Sequence, residues 1–310
     1  MTTASQTTFR PRDDADRDAI RALCAATLRG ADAADPDDLE RVLWAPGMLA
    51  TVAVVGDAVV GVVVGSVIDE PDGRASAVTI IAVSPAHQRA GVGRALLAQL
   101  ENAASDAGAV VTWSGGGQPR FWWPGVPEDS DGVIAFFEAC GYQFDDVAPN
   151  MVVDLTRADL AERPTSAGEI HRLRSEEWPA FAAWMAREWE DPWGDESAAA
   201  LLRAPVSCHV ATRDGRYIGF AAYDTNHPGW FGPMGTSPAA RGTGVGAELL
   251  RRCLRDYVEQ GRQQCEIGWV GPVEFYERTV GATLGRRFVR LKRTLGQARP
   301  VQASPSTSSG

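Results

Sequence analysis

Two tandem copies of one α/β domain, each a mixed sheet flanked by helices, are what this sequence predicts, and three observations predict it. At roughly 150 residues per domain, a chain of 310 residues fits two compact units. The stretch Ser84 to Gly93 aligns without a gap with Ser237 to Gly246, an offset of 153 that also pairs Leu96-Leu97 with Leu249-Leu250 and Gly108 with Gly261. Each copy also alternates short apolar runs with segments striped at helical spacing.

Composition bounds the function. Apolar residues make up 45% of the chain and charged residues 23%, the balance of a folded protein and not of a disordered one. Acidic residues outnumber basic ones 40 to 30, a formal charge of −10, which argues against an extended surface for nucleic acid and favours cationic partners. The five cysteines are scattered and form no CxxC pair, the usage of a reducing compartment. Met1 to Phe9 is polar and lacks the layout of a signal peptide, so a cytoplasmic location is expected. The most apolar run, Val52 to Ile68, is broken by Gly56, Asp57, Gly61 and Gly65 and predicts a hairpin, not a membrane span. The four histidines share no ligand spacing, and no metal is expected.

Copy one opens with an apolar strand piece at Phe9 and a helix within Asp13 to Arg29, where Ile20, Leu23, Cys24 and Leu28 share a face. A hairpin follows, Leu49 to Val55 and Ala58 to Ile68, turning at Gly56-Asp57. Ala77 to Val83 is a further strand. The helix after Gly93 carries Leu96, Leu97 and Leu100 and stops near Gly108, which suits a C-terminal cap. Val110 to Trp113 is a strand, and Val133 to Cys140 a helix ending at Gly141.

Copy two runs in the same order. A helical region spans Trp178 to Trp189, strands follow at Cys208 to Thr212, Tyr217 to Asp224 and Gly229 to Met234, and a helix at Ala247 to Gln260. A strand at Cys265 to Val270, a short helix at Val273 to Val280 and a last strand at Arg287 to Leu291 complete it. Residues 158–168 have the composition of a linker, and the Ser- and Pro-rich tail 297–310 carries no apolar stripe and is expected to be disordered.

A strand ending in Ser-Pro, a turn with two glycines and a leucine-striped helix place unpaired N–H groups at a helix N-terminus. Such donors, with the positive end of the dipole, bind phosphate. Gln88 and Arg241 begin the two turns, and side chains at Gly91, Gly93, Gly244 or Gly246 would hold a pyrophosphate away from the backbone. Neither copy keeps the GxGxxG spacing of a dinucleotide site, and no Lys-Ser or Lys-Thr follows either turn as a nucleoside-triphosphate loop requires.

At Gln88-Arg89-Ala90-Gly91-Val92-Gly93 and Arg241-Gly242-Thr243-Gly244-Val245-Gly246 the sequence resembles the Q/R-x-x-G-x-G/A signature of the GNAT acyltransferases, and the resemblance extends over nearly the whole chain. It implies two tandem GNAT-type domains, 1–157 and 169–296, each a mixed, mostly antiparallel sheet with splayed central strands. It implies acetyl-CoA as cofactor, its pyrophosphate on the turns and its pantetheine arm between two parallel strands. The residues so implicated are Val83, Gln88, Arg89, Ala90, Gly91, Val92, Gly93 and Arg94 in copy one. Copy two contributes Thr236, Arg241, Gly242, Thr243, Gly244, Val245 and Gly246. By the same resemblance Ile81 to Val83 and Met234 to Thr236 face the pantetheine through their backbone.

The family pattern also places a tyrosine acid after the fifth strand, and Phe275-Tyr276-Glu277 before Gly281 matches it. Copy one has Phe136-Phe137-Glu138 before Gly141, without the phenol. Tyr276 is therefore the expected general acid, the alternative being a ring that only packs. Gly108 to Phe137 spans 29 positions against 15 from Gly261 to Tyr276, and the extra 14 residues include Phe121-Trp122-Trp123. This insertion is either an interdomain packing loop or a lid. Trp178, Phe181 and Trp184 have core spacing, whereas the nearby Glu190 and Asp191 could attract a cationic amine and accept its proton. Asp224 and Glu266 are alternative bases. The expectation is an N-acetyltransferase acting on a primary amine of a small cationic molecule. Its alternatives are a non-catalytic acyl-CoA sensor or scaffold, and a transferase acting on a peptide or protein N-terminus.

Overall fold

The computed structural model describes residues 6–28, 33–70, 73–117, 119, 121–163, 165, 168–189 and 193–296. In copy one these form β1 (Thr7–Pro11), α1 (Arg17–Thr27), α2 (Pro36–Leu43), β2 (Leu49–Val55), β3 (Ala58–Glu70) and β4 (Gly73–Val83). They continue as α3 (Val92–Asp106), β5 (Ala109–Trp113), β6 (Val126–Pro127), α4 (Asp131–Ala139) and β7 (Gln143–Asp154). Copy two contains β8 (Glu169–Arg172), α5 (Trp178–Glu188), α6 (Trp193–Ala198), β9 (Cys208–Arg213), β10 (Arg216–Tyr223) and β11 (Trp230–Thr236). It ends with α7 (Val245–Glu259), β12 (Gln264–Ile267), α8 (Val273–Val280) and β13 (Thr283–Thr294). The tail 297–310, expected to be disordered, lies outside the described residues.

Local chemistry explains where the helices begin. Asp13 caps the turn before α1, accepting from Ala15 N at 2.9 Å while its own N–H donates to Asp16 at 2.8 Å, a reciprocal capping box. Helix α2, which the sequence analysis left out, starts at Pro36 behind Asp35, whose carboxylate accepts from Asp37 N and Asp38 N at 3.0 Å each. Its apolar residues Leu39, Val42 and Leu43 pack with Ile20, Leu23 and Cys24 of α1.

The described strands join into one sheet in the order β1-β2-β3-β4-β5-β13-β7-β12-β11-β10-β9-β8, with β6 pairing β13 off that path. The final strands are exchanged. β7, the last strand of copy one, lies antiparallel to β12 of copy two, with Cys265 opposite Val153. β13, the last of copy two, lies antiparallel to β5 of copy one, with Arg293 opposite Thr112. The two crossing strands also pair with each other from Thr283 opposite Val152 to Lys292 opposite Gln143.

The cores follow the exchange. Met151 and Val153 of β7 are buried in the copy-two cluster with α7 and α8, whereas Val289 and Leu291 of β13 belong to the copy-one cluster with α3 and α4. Each such buried side chain stabilises its host by about 1.5–3 kcal/mol. The opposite face of each half carries its own cluster, under α1 and α2 in copy one and under α5 and α6 in copy two. Hydrogen bonds and apolar packing thus cross between the two copies. Arg203 adds an ion pair across the halves with the buried Asp38.

Candidate active site

Each half contains a pair of parallel strands that separate. β4 pairs with β5 only from Arg74 opposite Ala109 to Ala77 opposite Trp113, although β4 continues to Val83. β11 pairs with β12 only at Trp230 opposite Glu266 and Phe231 opposite Ile267, although β11 continues to Thr236. The chain leaves β5 and β12 towards the exchanged strands. Ser114 N donates to Leu291 O of β13 at 2.9 Å, and Trp269 N donates to the Asn150 side chain of β7 at 3.0 Å. On its other edge β11 is held by β10, where Ser237 N donates to Ile218 O at 2.9 Å. Main-chain groups alternate in direction along a strand, so those of Met234 and Thr236 face the gap while Gly235 pairs back to β10.

Beside each gap a helix begins at a glycine. Gly91 and Gly244 are the N-caps of α3 and α7, at φ 84° and 85°, a left-handed conformation that disfavours any residue with a Cβ. No side chain caps either helix. The leading N–H groups, those of Val245, Gly246 and Ala247 in copy two, are the donors an anion would take. A Cβ added to Gly244 would meet nothing within 4 Å, whereas one at Gly246 would lie 3.4 Å from Thr236 Cγ2. The first glycine therefore leaves open space, and a methyl group at the second would sit at the near edge of ordinary contact with β11. Donors, dipole and open approach fit a pyrophosphate.

In copy two the gap opens into a cleft of about 860 Å³. Its lining brings Thr236, Arg241, Gly246 and Tyr276 together with Trp189, Trp193, Glu196 and Asn226. Tyr276 belongs to the apolar face beneath α7, while Trp189 and Trp193 belong to the face under α5 and α6. The separated strands join the two. The Tyr276 ring sits edge-on to Phe231 at 6.3 Å and Phe275 at 5.1 Å, and burial pushes its phenol up to about 12. The proton is retained at neutral pH. Trp189 lies so close to β11 that a Cβ on Gly235 would fall 2.8 Å from its ring.

The copy-one insertion forms another wall. Phe121 lines the cleft and sits edge-on to Trp269 at 5.5 Å, and Trp269 Nε1 donates to Phe121 O at 3.1 Å. Trp122, almost wholly buried, donates through Nε1 to Asn226 O at 2.5 Å and accepts at its own carbonyl from His227 Nε2 at 2.9 Å. The insertion thus packs between the halves and also lines the cleft.

Copy one differs at each corresponding point. Phe137 stands in register with Tyr276 and packs edge-on to Tyr142 at 5.0 Å. The Gln88 amide donates to Val83 O at 2.9 Å, on the edge where β4 has parted from β5. Trp122 joins Ile80 and Ala82 in the cluster under α1 and α2, on the face corresponding to the open cleft of copy two. Arg89 takes φ 61° where Gly242 takes 75°, so the same turn is made with a residue that strains it.

The remaining candidates fall as follows. Glu190 and Asp191 lie outside the described residues. Asp224 accepts from Tyr257 Oη at 2.8 Å and from Gly229 N at 2.5 Å, a structural use, and it is absent from the described lining. Glu266 accepts from Asn150 Nδ2 at 2.7 Å and is likewise outside that lining. Glu196 and Asn226 were not singled out by the sequence analysis. Glu196 stood within an acidic and aromatic run as one carboxylate among several, and nothing local marked Asn226.

The family model "Acetyltransferase (GNAT) family" matches residues 18–142 and again 169–282. The chain belongs to the GNAT acetyltransferase family. Over an alignment of 89 positions the chain is 33% identical to an uncharacterized N-acetyltransferase of Archaeoglobus fulgidus, a match that covers 25% of this chain and 58% of that relative. Two solved structures share the GNAT fold over nearly all of this chain. The glucosamine N-acetyltransferase region of a fungal multi-domain β-N-acetylglucosaminidase is 20% identical with a TM-score of 0.71, covering 94% of this chain and 38% of that one. A tandem GNAT protein from the clavulanic acid biosynthesis pathway is 18% identical with a TM-score of 0.67, covering 95% and 100%. Acetyl-CoA is the donor used by GNAT acetyltransferases. The turns and separated strands are the parts of this GNAT chain that fit it. Among the described residues no helix is long and apolar enough to cross a membrane.

Proposed function

We propose that the chain is an acetyl-CoA-dependent N-acetyltransferase whose reaction takes place in the copy-two cleft, on a primary amine of a small cationic molecule. One observation carries this reading: a single cleft is lined by the helix entrance at Gly246, the open edge of β11 and the buried phenol of Tyr276. When bound, acetyl-CoA supplies an acetyl thioester that an amine can attack.

The chain's own residues supply binding, orientation and proton control. The N–H groups of Val245, Gly246 and Ala247 hold the pyrophosphate, with Arg241 beside them. Main-chain groups of Met234 and Thr236 orient the pantetheine arm and polarise the acyl oxygen. Tyr276 keeps its proton for the departing sulfur. Glu190 and Asp191 remain proposed for attracting the cationic amine and accepting its proton. Copy one offers a matching helix entrance through Gln88, Arg89, Ala90, Gly91, Val92, Gly93 and Arg94, and by this reading it binds coenzyme A without turnover. Phe137, the committed Val83 carbonyl and the Trp122 ring support that assignment.

Thiol release from acetyl-CoA across a panel of amines tests the activity. Tyr276→Phe is expected to lower kcat by about 10² or more while leaving the KM for acetyl-CoA nearly unchanged. Full turnover in that variant removes the acid assignment.

A further inference from the structure

We infer that Glu196 is the recognition carboxylate of the acceptor cleft, and that the amine it receives carries an apolar or aromatic body, not a polyhydroxylated one. This rests on the proposed reaction in copy two and names the acceptor class for that site.

Glu196 lies on α6 with only 6% of its surface exposed, yet it lines the cleft. Its carboxylate accepts from Asn226 Nδ2, and the Asn226 carbonyl is held in turn by Trp122 Nε1. The carboxylate is therefore fixed before any ligand arrives, and a preset anion in a largely buried wall favours a cation over its neutral isostere.

The rest of the wall is aromatic. Trp189, Trp193, Trp230, Trp269 and Phe121 line the cleft with Glu196, and indole faces attract an ammonium group as well as an apolar body. An amino sugar would need a polar partner for each hydroxyl it buries. The polar side chains of the described acceptor wall are few: Thr225 Oγ1 donates to Gly232 O at 2.8 Å, Asn226 Nδ2 donates to Glu196, and the buried Asn226 Oδ1, which has no partner, offers one acceptor atom, too little for a polyhydroxylated ring. A compact arylalkylammonium matches such a wall.

The test titrates the full-length protein, saturated with coenzyme A, with 2-phenylethylammonium, 2-phenylethanol and glucosamine, reading tryptophan fluorescence and heat. Binding of the ammonium at least tenfold tighter than the alcohol or glucosamine is expected. Glu196→Gln, which keeps an acceptor for Asn226, should remove that tenfold preference, and Glu196→Asp should restore part of it. Equal binding of cation and alcohol, tighter binding of glucosamine, or a preference unchanged in E196Q would overturn the inference. Thiol release is followed in parallel. Cation-selective binding without release keeps Glu196 as the anchor and rejects the transferase reading, whereas release that is indifferent to Glu196 does the reverse.

Discussion

The indole N–H of Trp122 and the main-chain oxygen of Asn226 meet at 2.5 Å, joining residues 104 positions apart in sequence. The bond ties the insertion of one half to the loop that walls the cleft of the other. Trp122 simultaneously fills the copy-one face and fixes the segment whose amide holds Glu196.

Trp122→Phe keeps most of the ring and loses the N–H donor. Loss of one buried hydrogen bond costs about 1–3 kcal/mol, and a several-fold rise in the KM for the amine is expected with the KM for acetyl-CoA unchanged. Trp122→Ala empties a core position and should cost about 3–5 kcal/mol in stability. Initial rates and urea denaturation measure the two effects, and a W122F enzyme with normal amine KM would show that the bond does not position the cleft.

The Tyr276 phenol, raised to about 12 by burial, stays protonated across the usual assay range. As pH rises from about 6 to 10 an alkylamine loses its proton, so kcat/KM should climb without a descending limb from the acid. A kcat profile that falls near the ordinary tyrosine value of about 10 contradicts the assignment.

The exchanged strands predict that the halves do not fold apart. A fragment 1–157 would leave the β5 edge without β13, and a fragment 169–296 would leave β12 without β7. Each is expected to be aggregated when expressed alone, and co-expression should recover a soluble pair on size-exclusion chromatography. Two separately soluble fragments with native circular dichroism refute this.

His209 and Asp256 predict how stability depends on pH. His209 Nε2 donates to Asp256 Oδ2 at 2.7 Å, and the Asp256 Oδ1 accepts from Arg172 at 2.7 Å. Burial holds the imidazole below its ordinary value of 6.5 despite that carboxylate, and its Nδ1, buried without a hydrogen-bond partner, would gain an unsatisfied N–H on protonation. The unfolded chain takes up this proton near 6.5 and the folded chain resists it, so stability is full above that pH and declines below it. Asp256 is itself held low by His209 and Arg172 against its own burial, and it adds a second decline as pH falls through the carboxylate range. The unfolding free energy from urea titration, and the urea midpoint with it, should drop between pH 7.5 and pH 5.5. His209→Gln should flatten the dependence, and a midpoint that rises on acidification would reverse the sign.

The sequence carried the repeat, both glycine turns and the contrast between Tyr276 and Phe137, because each depends on a few neighbouring residues. A left-handed cap such as Gly244 needs no distant partner. Helix α2 escaped notice because its apolar residues span barely two turns, and β7 because Asp145, Asp146, Pro149 and Asn150 interrupt its alternation.

The course of β7 and β13 was settled only by tertiary structure. An apolar strand face reads the same whichever sheet receives it, so Met151 and Val153 carry no sign that their core is that of the following repeat. The same holds for the cleft. Nothing near Trp122 in the chain names Asn226, and nothing near Glu196 separates it from the neighbouring Asp195, until the fold buries one carboxylate and leaves the other exposed. Local pattern determined which elements form and where a phosphate can sit, and long-range packing, which joins residues a hundred positions apart, decided which half is open and which charge faces the acceptor.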